Sequence, residues 1–178
     1  AAKEGVAAIV CVPRSVDPAK LEGIRAYGAE VRISEFAGYD ETEAWAKQMA
    51  IAERKPFLSA FDDPAVMAGN GGSLIRELLE QAPEIRSLLL PVGGGGMAAG
   101  ASFSGLELHA AQHALSPALR MSLDRGEAVT ELPAVETAAG GIEGGIGRST
   151  FEILRTRVAS VSLLSEEEIW DGVRWMLA

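Results

Sequence analysis

Between Arg86 and Glu107 the chain carries no charged residue, and four consecutive glycines, Gly93 to Gly96, interrupt that apolar stretch at its middle. The stretch is long enough to raise the question of a membrane span. Its glycines, Pro91 and serines make a poor spanning helix. It reads instead as a strand, Ser87 to Val92, then a bare loop, then a buried helix of small residues beginning "MAAGASFSGL". Glycine inside an element costs roughly 0.5–1 kcal/mol relative to alanine, so four in a row need a compensating use. A strand feeding a glycine run and a helix start aims unobstructed amides and a positive dipole end at one point, the geometry of a phosphate cradle. A tight strand-to-helix turn with close packing would use the same glycines.

The common nucleotide loops fit less well. A nucleoside triphosphate loop carries Lys-Ser or Lys-Thr after its glycines, where this chain has Met97-Ala98. Gly93, Gly95 and Ala98 satisfy the permissive dinucleotide spacing, but no strand-ending acid follows about twenty residues on.

The 178 residues are 48% hydrophobic, enough for one domain or two small ones. A formal net charge of -9 argues against binding nucleic acid or an anionic membrane surface, both of which need clustered Lys and Arg. Small-molecule chemistry is the expectation. A lone Cys11 in an apolar run forms no internal disulfide, which fits a reducing cytoplasm and a buried, inert thiol. "AAKEGVAAIV" reads as though the chain starts partway through a helix, and "SEEEIWDGVRWMLA" stops on an apolar helical pattern without a stop signal. Both ends look cut.

Short apolar runs alternate with helical periodicity along the chain, which predicts α/β layers on a largely parallel sheet. The expected strands are Ala7 to Val12, Glu30 to Ser34, Pro56 to Ala60, Ser87 to Val92, Leu108 to Gln112 and Ser160 to Leu164. Between them, Pro18 to Tyr27 has Asp17 as N-cap and Gly28 as stop, and Asp40 to Arg54 opens on an acid with Glu43 three residues on. Ser165 and Glu168 stand in capping-box spacing at the head of a last helix to Leu177. The stretch "FDDPAVMAGNGG" combines Asp-Pro with a glycine cluster and predicts a turn at a domain boundary.

"PVGGGGMAAG" resembles the phosphate loop of fold-type-II pyridoxal-phosphate enzymes, in particular the threonine dehydratase and serine racemase family. "VPRSVDPAKLEGIRAYGAEV" is similar to that family's strand, loop and helix ending in Gly-Ala-Glu-Val. "FDDPAVMAGNGGSLIRELLEQAP" resembles the stretch entering its large domain, and "SPALRMSLDRGE", "TAAGGI" and "VSLLSEEEI" match weaker elements in order. The resemblance implies two open α/β domains of the tryptophan-synthase-β-like type, truncated at both ends. The small-domain portion would cover 1–61 and the large-domain portion 62–178. It implies pyridoxal 5'-phosphate held by Gly93, Gly94, Gly95, Gly96 and the Met97 amide, β-elimination or racemisation of a small hydroxy amino acid, and a cytoplasmic homo-oligomer.

In that family a lysine holds the cofactor aldehyde, and the pyridine ring acts as an electron sink once the substrate α-proton is removed. The resemblance puts the lysine motif and the Ser-Gly-Asn-His loop upstream of Ala1, and the residue facing the pyridine nitrogen beyond Ala178. Lys3, Lys20, Lys47 and Lys55, the only lysines, match no such motif and read as solvated charges. No catalytic residue is therefore assigned, and the chain by itself is expected to bind phosphate without turnover. Gly72 stands where the family usually has Thr, Arg76 where a helix acid is expected with Glu77 one position late, and Gly140 where an acid is common. Gln112 and Ala118 occupy the two acidic positions of a cation site that several members carry, so no metal is expected. "GGIEGGIGRST", residues 140 to 150, reads as a flexible loop, either near the cofactor ring or on the surface.

An ester hydrolase using the tetrad as oxyanion hole is the alternative, with Ser102, Ser104, His109, His113 and Asp124 downstream. "GASFSG" lacks the Gly-x-Ser-x-Gly elbow. A non-catalytic binding fragment is the third reading.

Overall fold

Apolar runs of the chain fold as parallel strands, with helices as the crossovers that parallel pairing requires. The computed structural model describes residues 1–178. They divide into two units, Ala1–Phe57 and Leu58–Ala178.

In the first unit a short 3-10 turn, Ala2–Glu4, precedes β1 (Ile9–Val12), α1 (Pro18–Ala26), β2 (Glu30–Ile33) and α2 (Tyr39–Ala52). β1 and β2 pair in parallel from Ile9 opposite Glu30 to Val12 opposite Ile33. Asp17 caps α1 as its sequence predicts, accepting the Ala19 and Lys20 amides at 2.8 and 3.1 Å. α2 starts one residue before the expected Asp40, behind Gly38, so Asp40 and Glu41 lie in the first turn, where the helix dipole favours acids. Val12 and Ala46 are buried here, beside a Ser34–Thr42 hydroxyl pair 2.8 Å apart. The run Pro56 to Ala60, expected as a strand, forms none. A strand exists through its ladder, and this run has no partner in either sheet.

The second unit begins with α3 (Pro64–Met67), a π-helical turn (Ala68–Gly72) and α4 (Ser73–Gln81). It continues through β3 (Ser87–Pro91), α5 (Gly96–Ala101), β4 (Glu107–His113), α6 (Ala118–Arg125), α7 (Arg148–Leu154), β5 (Val158–Leu164) and α8 (Glu166–Leu177). The parallel sheet runs β3-β4-β5, with one register shift between Leu108 and His109. Leu90, Val92, Leu108, Leu119, Ile146, Phe151 and Leu154 anchor the core between sheet and helices. The capping box at the head of α8 is formed: Ser165 Oγ accepts the Glu168 amide and Glu168 accepts the Ser165 amide.

"FDDPAVMAGNGG" is not the turn its composition suggests. Asp63 caps α3, and the chain continues helically through the π-helical turn into α4. Gly71 serves close approach between helices, as does Gly100 of α5. A Cβ on Gly71 would collide with the Met97 carbonyl of α5, and one on Gly100 with the Met67 carbonyl of α3.

Candidate functional site

β3 delivers the glycine run to the edge of the core. Beyond Pro91, Val92 still donates its amide to the Ala111 carbonyl at 2.9 Å, so the chain is tied to β4 until the glycines begin. Gly95 takes φ 90° and ψ −7°, a left-handed conformation that L side chains rarely adopt, and α5 starts at Gly96. The space where side chains would stand is filled from elsewhere in the unit. A Cβ on Gly93 would lie 2.6 Å from the Gly141 carbonyl, one on Gly95 3.1 Å from Thr150, and one on Gly96 2.7 Å from the Phe61 carbonyl. On Gly94 it would strike the Phe61 ring. Close packing thus accounts for the missing side chains.

It does not account for the amides. Gly93, Gly95 and Gly96 are buried, yet the N–H groups of Gly94, Gly95, Gly96 and Met97 have no acceptor within the chain. Those of Gly96 and Met97 belong to the first turn of a helix, which offers them no intrahelical partner. Gly95 and Gly96 among them are buried, and buried backbone N–H groups are almost always paired in folded proteins, with protein, water or ligand.

Two side chains from outside the loop fix its carbonyls, and a third anchors one of the two. Gln112, fully buried on β4, donates from Nε2 to the Val92 carbonyl at 3.0 Å and accepts the Arg120 amide of α6 on Oε1 at 3.0 Å. Thr150, fully buried on α7, donates from Oγ1 toward the Gly94 carbonyl at 2.8 Å and the Gly147 carbonyl at 2.9 Å. Asp62 accepts the Thr150 amide at 3.0 Å and so caps α7 from across the unit. Sequence reasoning missed these roles for Thr150 and Asp62 and marked Gln112 only as a departure from a family pattern. The partners lie 20, 56 and 88 residues apart in the chain, so no local spacing signals them.

Residues 140 to 147 form neither helix nor strand, in keeping with the loop expected, and hydrogen bonds tie the segment into the unit. Gly144 donates to Ser116 Oγ at 2.9 Å, Ile146 to the Val129 carbonyl at 2.9 Å and Gly147 to the Gly94 carbonyl at 3.2 Å. From Arg148 the segment is helix α7; Gly144 to Gly147 are buried, with Ile146 and Gly147 against the glycine run and Gly145 against Thr130.

The residues singled out for hydrolysis do not converge. Ser102 Oγ donates to the Ala99 carbonyl at 2.7 Å, and Ser104 Oγ accepts the Leu106 amide at 3.2 Å. His109 Nδ1 meets Ser160 Oγ at 2.8 Å, while Asp124 pairs with Arg120 at 2.9 Å. His113 is buried, takes the Leu115 amide on Nδ1 and turns Nε2 toward Glu166 Oε2 at 3.3 Å, outside hydrogen-bond alignment. The Ala138 amide, then the Thr137 side chain, and more weakly His113, hold the Glu166 carboxyl below the ordinary carboxylate range. All four lysines lie in the first unit, where Lys47 pairs with Glu43 at 3.2 Å and Lys55 with Glu53 at 2.6 Å. No helix is long and apolar enough to cross a membrane.

The sequence pattern of the family described as pyridoxal-phosphate dependent enzyme matches residues 1–178. An L-threonine ammonia-lyase of Geobacter sulfurreducens is 37% identical over 172 residues, covering 93% of this chain and 42% of that protein. A serine racemase of Rattus norvegicus is 35% identical over 173 residues, covering 93% of this chain and 51% of that protein. Among solved structures, a T.th. threonine deaminase superposes with a TM-score of 0.84 at 31% identity, covering 99% of this chain and 59% of that one. The chain spans about half the length of these relatives.

Proposed function

The chain belongs to the family of pyridoxal-phosphate dependent enzymes, and from that premise we propose that Gly93 to Met97 hold the cofactor phosphate in an ammonia-lyase or racemase of a small hydroxy amino acid. The observation that carries this reading is the group of amides at Gly94, Gly95, Gly96 and Met97 without acceptors inside the chain. Phosphate oxygens accept several N–H bonds at once, and the first turn of a helix adds a favourable partial charge. With a formal net charge of -9, the long-range field of the chain does not attract an anion. Binding therefore has to come from short-range donors, and backbone amides supply them without a cationic side chain.

When bound, pyridoxal phosphate supplies an electron sink for the charge left when a substrate loses its α-proton. The part of this chain is to bind and orient. The glycine run grips one end of the cofactor, and Phe61, Gly141 and Thr150 close the space behind the run so that it cannot collapse onto the core. Residues that would read the substrate side chain are not assigned. Lys47 pairs with Glu43 and Lys55 with Glu53, and the role proposed for the 178 residues by themselves is phosphate binding without turnover.

The test is a titration of the isotopically labelled chain with inorganic phosphate, followed by amide chemical shifts. Millimolar phosphate should move the signals of Gly94, Gly95, Gly96 and Met97 together. A titration that leaves these four unmoved would sink the reading.

A further inference from the structure

Glycine leaves a peptide plane free to turn, because neither sign of φ is penalised at the flanking residues. Gly94 and Gly95 flank such a plane, and nothing in their own side chains selects one orientation. Two donors outside the loop do. The Gly94 carbonyl accepts Thr150 Oγ1 at 2.8 Å and the Gly147 amide at 3.2 Å, both from the start of α7. The chain has no cis peptide bond. In a planar trans unit the carbonyl and the following N–H point in opposite directions. Drawing the Gly94 carbonyl toward α7 therefore turns the Gly95 N–H away from it, and that N–H has no acceptor within the chain.

We infer that Thr150 is a positioning residue for the glycine loop: its hydroxyl fixes the Gly94–Gly95 peptide plane and thereby aims the Gly95 amide at the bound anion. The part concerning the anion rests on the phosphate reading proposed above. Thr150 is itself held rigidly. It is fully buried and its amide is anchored on Asp62 Oδ1 at 3.0 Å, while its single hydroxyl proton lies between the Gly94 carbonyl at 2.8 Å and the Gly147 carbonyl at 2.9 Å. A buried residue whose backbone is anchored can present its hydroxyl to hold a plane that glycine leaves loose. The Gly147 amide alone is a longer and weaker tether.

The experiment compares the full chain with Thr150→Val, which keeps the shape and loses the hydroxyl, and Thr150→Ser, which keeps the hydroxyl. The first readout is the residual dipolar coupling of the Gly95 N–H, which reports its direction without any ligand. The second is the dissociation constant for inorganic phosphate from the amide shifts. Thr150→Val should change the Gly95 coupling and weaken phosphate about five- to tenfold, the scale of one lost hydrogen bond. Thr150→Ser should restore both. If the valine variant does not fold, Thr150→Ala removes the same hydroxyl without adding a methyl group and takes its place. An unchanged Gly95 coupling in a folded variant without the hydroxyl overturns the inference. A changed coupling in a chain whose parent binds no phosphate leaves the peptide assignment standing and removes the phosphate reading instead.

Discussion

Gly95 shows how much of the site rests on single backbone positions. At φ 90° an L side chain is strained whatever the space, and a Cβ would meet Thr150 and Ile146 at 3.1 to 3.3 Å. Gly95→Ala is expected to cost about 1–2 kcal/mol, the penalty of the left-handed conformation. It should also weaken phosphate binding, because relieving the strain turns the same peptide that carries the amide. Urea unfolding and the phosphate titration measure the two effects, and a variant as stable and as tight-binding as the parent would contradict both. The requirement for bare backbone at 93 to 96 is readable in the sequence, since four glycines admit few other uses. That the adjoining residues are Phe61, Gly141 and Thr150 is not, because contact between segments so far apart leaves no local pattern.

Gln112 joins three elements. Its amide group links β4, on which it sits, to the end of β3 through the Val92 carbonyl and to the first turn of α6 through the Arg120 amide. The residue before α6, Pro117, contributes no side-chain cap, so Gln112 satisfies an N–H that the helix cannot. Gln112→Leu would fill the volume but leave the buried Val92 carbonyl and the partly buried Arg120 amide without partners. The expected loss is about 2–4 kcal/mol, since each unsatisfied buried group costs on the order of 1–3 kcal/mol. A shift of the urea midpoint measures it, and a loss near zero would show that the two bonds contribute nothing net. The local signals for elements performed unevenly, for identifiable reasons. Asp17 before Pro18, and Ser165 with Glu168, are short-range chemistry and form as spaced. Asp63-Pro64 with the glycines near 70 mimics turn chemistry, but Asp63 caps a helix, and Gly71 admits α5 against the π-helical turn as Gly100 admits it against α3. The apolar run at 56 to 60 looks like a strand locally and lacks a ladder.

For the whole chain, the proposed binding without turnover gives a sharp expectation. Every lysine lies in Ala1–Phe57, while the glycine loop lies in Leu58–Ala178. Trapping of a bound aldehyde requires an amine held in a fixed approach to it. Borohydride trapping of the 178-residue chain with added pyridoxal phosphate should label no lysine stoichiometrically, and serine or threonine should yield no ammonia. Stoichiometric labelling of Lys3, Lys20, Lys47 or Lys55, with turnover lost on its replacement by Ala, would make the chain a complete enzyme. The alternation of apolar runs and helical segments carries the α/β class, and the ordered segments around "PVGGGGMAAG" carry the family, because both are written in residues close together in the chain. The direction of the loop's peptide planes is set differently. Val92 is held by Gln112, Gly94 by Thr150, and Thr150 by Asp62, through bonds spanning 20, 56 and 88 residues. Glycine imposes no preference of its own on those planes, so their orientation is fixed where the folded chain brings distant side chains to the loop, and nowhere in the four letters themselves.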